Sequence, residues 1–317
     1  MNTALKSPPC TFPPGTVLQD TYRILQLVGS GATGEIYRAA HARLPGSFAV
    51  KVLHRDLIAD REAFSRFCRE AEMMSQVRHP NVVNVLDFNS TEDGTPYLVM
   101  EHVEGTDLET RLRKRGPMTL PETLSVVRQI ACALQAAHDL GIVHRDLKPE
   151  NVMVVSMEGQ PDYVKVVDFG ISRAAGSSHI TKRSTVVGTP GYMSPEQALG
   201  QKDKVDGRSD QFALAAVTYE MLTGREAFTG EDAIAILRKV VYGPPLPLAG
   251  LVSWPVGGVG EVLQRGMAKK QTQRFPTIME FSRALDGAAA RLPARSSRAS
   301  ASDESPYAEL TITSGAA

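Results

Sequence analysis

The chain has 317 residues, enough for one large domain or one two-lobed domain with tails, and 42% of them are hydrophobic, ample for a core. Its 35 basic and 35 acidic residues cancel, so no global charge draws it to nucleic acid or to a membrane surface. Three scattered cysteines (Cys10, Cys68, Cys132) form no CxxC pair, which argues against a zinc site or a disulfide framework. No apolar run approaches the ~20 residues of a membrane span, and no signal-peptide pattern opens the chain. The expectation is a soluble, cytoplasmic protein.

Residues 1–16 are Pro-rich and read as a loose leader, so that the folded domain is expected to begin at Tyr22 after a leader of residues 1–21. From Tyr22 to Val52 the pattern is strand-like, ending in the apolar run Phe48-Ala49-Val50 before Lys51. Residues 60–76 switch to a helical period, with Phe64, Phe67, Cys68, Ala71 and Met74 on one face. Strand-like pieces return at 82–88 and 96–103. After Gly105 the chain turns mainly helical, with apolar-periodic segments at 121–140, 208–223 and 231–241. The polar stretch 157–162 suggests a loose hairpin, and the Pro/Gly-rich stretch 243–260 a long irregular surface connection. From Gly287 onward large apolar residues are few, so residues 287–317 are expected to be disordered. The fold class is α+β: a sheet-plus-helix lobe over 22–103 and a larger helical lobe over 105–286, with no internal repeat.

Three groups of residues carry chemistry. Gly29-Ser-Gly31-Ala-Thr-Gly34-Glu-Ile36 spaces its glycines so that backbone amides, not side chains, can approach phosphate oxygens. Alone, it equally suits a Gly-rich hairpin without a ligand. A Rossmann turn would need a helix straight after the glycines, whereas the following residues read as two strands, and a Walker A loop is absent. The octet His144-Arg-Asp-Leu-Lys-Pro-Glu-Asn151 sets a carboxylate (Asp146), an ammonium (Lys148) and a carboxamide (Asn151) on one short loop. Together these groups can orient a hydroxyl, neutralise a phosphate and hold a metal ion. Asp168-Phe169-Gly170 supplies a second carboxylate.

In order, spacing and chemistry these motifs resemble the eukaryotic-type Ser/Thr protein kinases, most of all the bacterial members, over residues 22 to about 286. The resemblance implies a two-lobed protein-kinase fold, ATP as phosphoryl donor, Mg²⁺ (or Mn²⁺) as metal, and protein substrates with Ser or Thr acceptors. It also implies a transient homodimer for autophosphorylation, while the charge balance leaves no nucleic-acid or membrane partner expected. Lys51 is then the cation on the α- and β-phosphates, and Glu70 the carboxylate that holds it. Glu72, two positions on, is turned about 200° away on a helix. Asp146 is the base, Lys148 contacts the γ-phosphate, and Asn151 and Asp168 ligate the metal. The nucleotide pocket takes in Val28, Gly29, Ser30, Gly31, Ala32, Thr33, Gly34, Glu35, Ile36, Ala49, Lys51, Met100 as gatekeeper, Glu101 and Val103 of the hinge, and Met153. Asp107 either reaches a ribose or caps a helix.

Further positions match the same family. Met193-Ser194-Pro195-Glu196 replaces Ala-Pro-Glu with Ser for Ala. Glu196 is expected on Arg274 as a buried ion pair, Asp210 on the catalytic loop, and His144 and Phe169 in the core. Arg145 and Arg173 are expected to receive a phosphate on the activation segment, with Thr181, Ser184 and Thr185 as acceptors. Two rivals stand beside an active kinase. A non-catalytic ATP-binding scaffold is opposed by the intact Lys51, Asp146, Asn151 and Asp168. A small-molecule kinase is opposed by the Gly188-to-Glu196 stretch, which resembles a peptide-docking platform.

Overall fold

The computed structural model describes residues 11–31, 34–54, 61–157, 159–169 and 190–293; the side chains of residues 61–64, 66, 67, 70, 157, 160 and 161 are not described. The upper lobe is a six-stranded antiparallel sheet, in order β1-β2-β3-β4-β6-β5. Its strands are β1 (Val17–Leu18), β2 (Tyr22–Gly31), β3 (Gly34–His41), β4 (Ser47–Leu53), β5 (Val85–Ser90) and β6 (Pro96–Glu101). Side chains alternate between faces with period two, and the buried residues follow that period. Tyr37, Ala39, Val50, Val52, Tyr97 and Val99 pack with Ile24 and Tyr22 on the outer face. Leu98 and Met100 turn the other way and join the main core with Ala71 and Met74 of α1 (Arg61–Ser75).

The lower lobe is built around two helices. The first, α3 (Leu120–His138), follows α2 (Leu108–Arg115) and opens with a capping box in which Thr119 and Glu122 satisfy each other's backbone amides. It buries Val126, Val127, Ile130, Ala131, Leu134 and Ala137 at helical spacing. The second is α5 (Gly207–Thr223), preceded by the short α4 (Pro195–Ala198); it is buried on nearly every side, which marks it as the centre of the lobe. Each fully buried Phe, Leu or Val there contributes roughly 1.5–3 kcal/mol. Helices α6 (Ala233–Tyr242), α7 (Gly257–Gly266) and α8 (Ile278–Ala290) complete the lobe. Among the described residues no helix is long and apolar enough to cross a membrane.

A second sheet, β7 (Thr106–Asp107), β8 (Val152–Met157) and β9 (Gln160–Val166), lies where the lobes meet. The lobes are joined here: Val83 N donates to Val166 O at 3.0 Å, and Asn81 Nδ2 to Val164 O at 2.7 Å. The sheet also fixes the site, because Asn151 leads directly into β8 and Asp168 follows β9 by one residue beyond Val167.

Four expectations are corrected. The fold begins before Tyr22: Val17–Leu18 pair with β2, and Phe12 stacks edge-on against Tyr37 at 6.1 Å. The last helix runs to Ala290, past the expected boundary at 286, with Ala288 buried. The 157–162 hairpin is tight, with Met157 opposite Gln160 and Gly159 at φ 79°, a conformation glycine adopts without steric cost. The 243–260 stretch is irregular only to Val256. Gly257, Gly258 and Gly260 open α7, because burial of Val259 and Leu263 outweighs their poor helix propensity.

Candidate active site

The glycine-rich turn joins β2 to β3, with Gly31 opposite Gly34, Ser30 opposite Glu35 and Gly29 opposite Ile36; Ala32 and Thr33 lie outside the described residues. Its glycines serve two purposes. A Cβ on Gly34 would sit 2.0 Å from Val52 O, so strand packing alone excludes a side chain there. A Cβ on Gly29 or Gly31 would meet nothing within 4 Å. Bare backbone at those two positions suits an anionic ligand rather than the fold itself. The carboxylate of Glu35 accepts hydrogen bonds from Tyr37 Oη and, at 3.0 Å, from Thr11 N. Burial opposes its charge, yet these donors hold its pKa below the ordinary value. Its side chain is thus occupied on the outer face of the sheet, the face that carries Tyr37 and Val52.

The opposite face carries Ile36, Ala49 and Lys51, the last in register with Ile36 and Leu98. Lys51 Nζ lies 2.7 Å from Asp168 Oδ1. Burial works against the Asp168 charge, but the charge and hydrogen bond of Lys51, with Lys148 and His144 nearby, together hold the carboxyl below the usual range. Glu70 is on α1, and its side chain lies outside the described residues; Glu72 is exposed, which removes it as a competitor. Below the sheet, Met100 is buried in the core and Val103 and Ala49 pack against it, while Val28 is 57% exposed above. Met153 is half-buried. The Glu101 carboxylate is taken up by Lys165 Nζ at 2.7 Å and Asn84 N at 2.8 Å. Asp107 caps α2, accepting from Thr110 N at 2.7 Å.

The His144–Asn151 loop is fixed from beneath by Asp210, which is itself buried. Its two carboxylate oxygens accept from His144 N and Arg145 N, both at 2.8 Å, and His138 Nε2 lies 2.8 Å away. His144 is fully buried; burial drives its pKa down and keeps the ring neutral. Its ring touches Phe169 (centroids 4.5 Å apart) and its Nε2 lies 3.1 Å from Val167 O. This ring therefore joins the loop to the Asp168 strand. Asn151 Nδ2 donates to Asp146 O at 2.7 Å, and Lys148 Nζ is 3.5 Å from Asp146 Oδ2. Arg145 (φ 64°) and Asp168 (φ 54°) are both left-handed, a conformation costing roughly 1–2 kcal/mol per non-glycine residue. Such strain persists where the surroundings over-determine the backbone, and it clusters at functional sites.

These atoms suit a magnesium ion. The Asn151 amide nitrogen is committed to Asp146, which leaves Oδ1 for a cation, and Asp168 uses Oδ1 on Lys51, which leaves Oδ2. Magnesium takes one or two such oxygens and completes its shell with phosphate and water.

The protein kinase domain family matches residues 22–244, more than half of the chain. The chain belongs to the eukaryotic-type serine/threonine protein kinases. It is 39% identical over 237 residues to the serine/threonine-protein kinase pkn3 of Myxococcus xanthus, covering 74% of this chain and 43% of that one. It is 37% identical over 269 residues to PknB of Mycobacterium tuberculosis, covering 83% and 42%. The chain therefore spans less than half the length of these relatives. Among solved structures, the Mycobacterium tuberculosis PknI kinase domain superposes with a TM-score of 0.70 at 29% identity, covering 88% of this chain and 99% of that one.

In this kinase Arg274 donates to both oxygens of Glu196, at 2.8 and 2.9 Å, with both side chains almost wholly buried. Burial opposes the Glu196 charge, but the hydrogen bonds and charge of Arg274, together with the Ser209 hydroxyl, lower its pKa on balance. Arg145 is placed beside Asp146, whereas Arg173, Thr181, Ser184 and Thr185 lie outside the described residues. Two features of the kinase escaped the motif reading. Tyr192 donates to Glu220, whose pKa is pushed up to about 7, chiefly by burial and then by Glu226 and Glu150 nearby. Gln197 reaches the catalytic loop. Its signal was present in Ser194-Pro-Glu-Gln197, the spacing of a capping box.

Proposed function

We propose that this chain transfers the γ-phosphoryl group of ATP to serine and threonine hydroxyls of proteins. The observation that carries the reading is the Lys51–Asp168 ion pair, which spans the cleft between the open glycine turn and the Asp146–Lys148–Asn151 loop. On this reading the turn's amides lie over the phosphates, and Lys51 steadies the α- and β-phosphates. Asn151 and Asp168 hold Mg²⁺, or Mn²⁺, which when bound offsets phosphate charge. Asp146 orients the acceptor hydroxyl and takes its proton, and Lys148 stabilises charge on the transferred group. Little covalent work is required, because positioning and electrostatics account for most phosphoryl-transfer catalysis. The Glu70–Lys51 contact and phosphorylation of Thr181, Ser184 or Thr185 beside Arg145 and Arg173 belong to the same reading.

The experiment is transfer of labelled phosphate from ATP with Mg²⁺ to a generic basic protein, and to the kinase itself, with Asp146→Asn as control. The expected result is label on Ser and Thr with wild type and none with the variant. Equal labelling by both would overturn the assignment, and label found only on small-molecule acceptors would favour the rival enzyme class.

A further inference from the structure

The carbonyl of Arg145 and the amide of Asp146 form the peptide plane from which the Asp146 side chain springs, and both ends of that plane are held. Asp146 N donates to His144 Nδ1 at 3.3 Å. Arg145 O accepts from Gln197 Nε2 at 2.7 Å. Arg145 is left-handed, and its own amide is bound to Asp210 Oδ1 at 2.8 Å, so two hydrogen bonds act on this plane and a third fixes the peptide before it. Among these described contacts, the one from Gln197 comes from outside the loop-and-Asp210 unit.

Gln197 is itself set. Its Oε1 accepts from both Ser194 N and Ser194 Oγ at 3.0 Å, which turns the amide so that Nε2 faces Arg145. Ser194 is fully buried. The preceding residue in α4, Glu196, is clamped to Arg274, which makes the helix a firm base for the glutamine. We infer that Gln197 is a positioning residue, which with Ser194 holds the Arg145–Asp146 peptide in its reactive orientation. The serine that stands where the family pattern has alanine is the partner this glutamine needs. Through this contact the segment that follows the activation segment is joined directly to the residue carrying the base.

The inference rests on Asp146 acting as the base, and its test separates the two ideas. Gln197→Glu keeps the oxygen that caps Ser194 and removes the donor to Arg145. A purely capping role predicts little change, whereas a positioning role predicts a loss of about tenfold or more in kcat, since small misplacements of catalytic groups are costly. KM for ATP should stay within about twofold, because the nucleotide contacts lie elsewhere. Ser194→Ala, which frees the glutamine without removing it, should fall between wild type and Gln197→Glu. If Gln197→Glu does not fold, Gln197→Met takes its place and is compared with Ser194→Ala, which weakens the cap but keeps the donor; the loss in kcat of Gln197→Met should be the larger of the two. A folded variant with kcat within twofold of wild type overturns the inference, as does failure of both substitutions to fold, which assigns the residue to stability. An inactive wild type defeats the functional reading instead.

Discussion

Lys51 and Asp168 meet across the cleft, 2.7 Å apart, one on the upper-lobe sheet and the other just beyond β9 of the second sheet. Asp168 also lies beside the buried ring of His144 through Phe169. The pair therefore connects the glycine-rich sheet to the His144–Asn151 loop by way of a single carboxylate.

Lys51→Met should lower phosphoryl transfer by about 10²-fold or more, since a preorganised charge on the phosphates is lost. The thermal midpoint should fall as well, because Asp168 loses the cation that offsets its burial, but the protein should stay folded at the assay temperature. Asp168→Ala should abolish the dependence of transfer on Mg²⁺ along with the activity. Steady-state rates over a Mg²⁺ series, with circular dichroism melting, check both. Residual Mg²⁺-dependent turnover in Asp168→Ala would place the metal elsewhere.

The Glu196–Arg274 pair predicts a stability effect instead. Removing one partner of a buried ion pair leaves the other charge uncompensated, at a cost of about 3–5 kcal/mol. Arg274→Ala should lose that much in urea denaturation, and Arg274→Lys should recover little because it cannot donate in parallel to both oxygens. The folded-state pKa of Glu196 is lowered, so the pair's contribution is present above the unfolded carboxylate value and is lost as pH falls through the folded value. Wild type should thus lose more stability on acidification below about pH 4.5 than Arg274→Ala does.

Much of this was legible from the chain alone. Strand faces follow period two, and chemical residues at fixed spacing converge because one loop and one strand end present them. What escaped depends on contacts distant in sequence. Phe12 is apolar in a Pro-rich stretch, and only Tyr37, far along the chain, gives it a place. Gly257, Gly258 and Gly260 argue locally against a helix, and only the core around Val259 and Leu263 makes one. Gln197 stands just outside the Met193-to-Glu196 motif, although its spacing from Ser194 is that of a capping box.

The N-terminal correction carries a prediction of its own. A chain beginning at Tyr22 lacks the β1 pairing, the Phe12–Tyr37 contact and the Thr11 amide on Glu35. Compared with one beginning at Thr11, it should be less stable by about 2 kcal/mol or more, the order of one buried aromatic side chain. Its KM for ATP should rise, since Glu35 adjoins Gly34 of the glycine turn. Chemical denaturation and ATP titration of the two chains give both numbers, and equal stability would show that residues 11–21 are indeed a leader.

Glu220 predicts the opposite pH dependence to Glu196. Its pKa is raised from 4.5 to about 7, first by burial and then by Glu226 and Glu150. A carboxyl that binds its proton more tightly when folded contributes stability that is fully present below the unfolded value, near 4.5, and is lost as pH rises through about 7. Glu220→Gln keeps an oxygen to accept from Tyr192 but cannot ionise. Wild type should accordingly lose stability relative to this variant between pH 4.5 and pH 7, with the difference levelling off above that. Melting temperatures of the two proteins measured in half-unit steps from pH 4.5 to pH 8 reveal it. Parallel curves across the range would mean that Glu220 ionises in the folded protein as readily as in water.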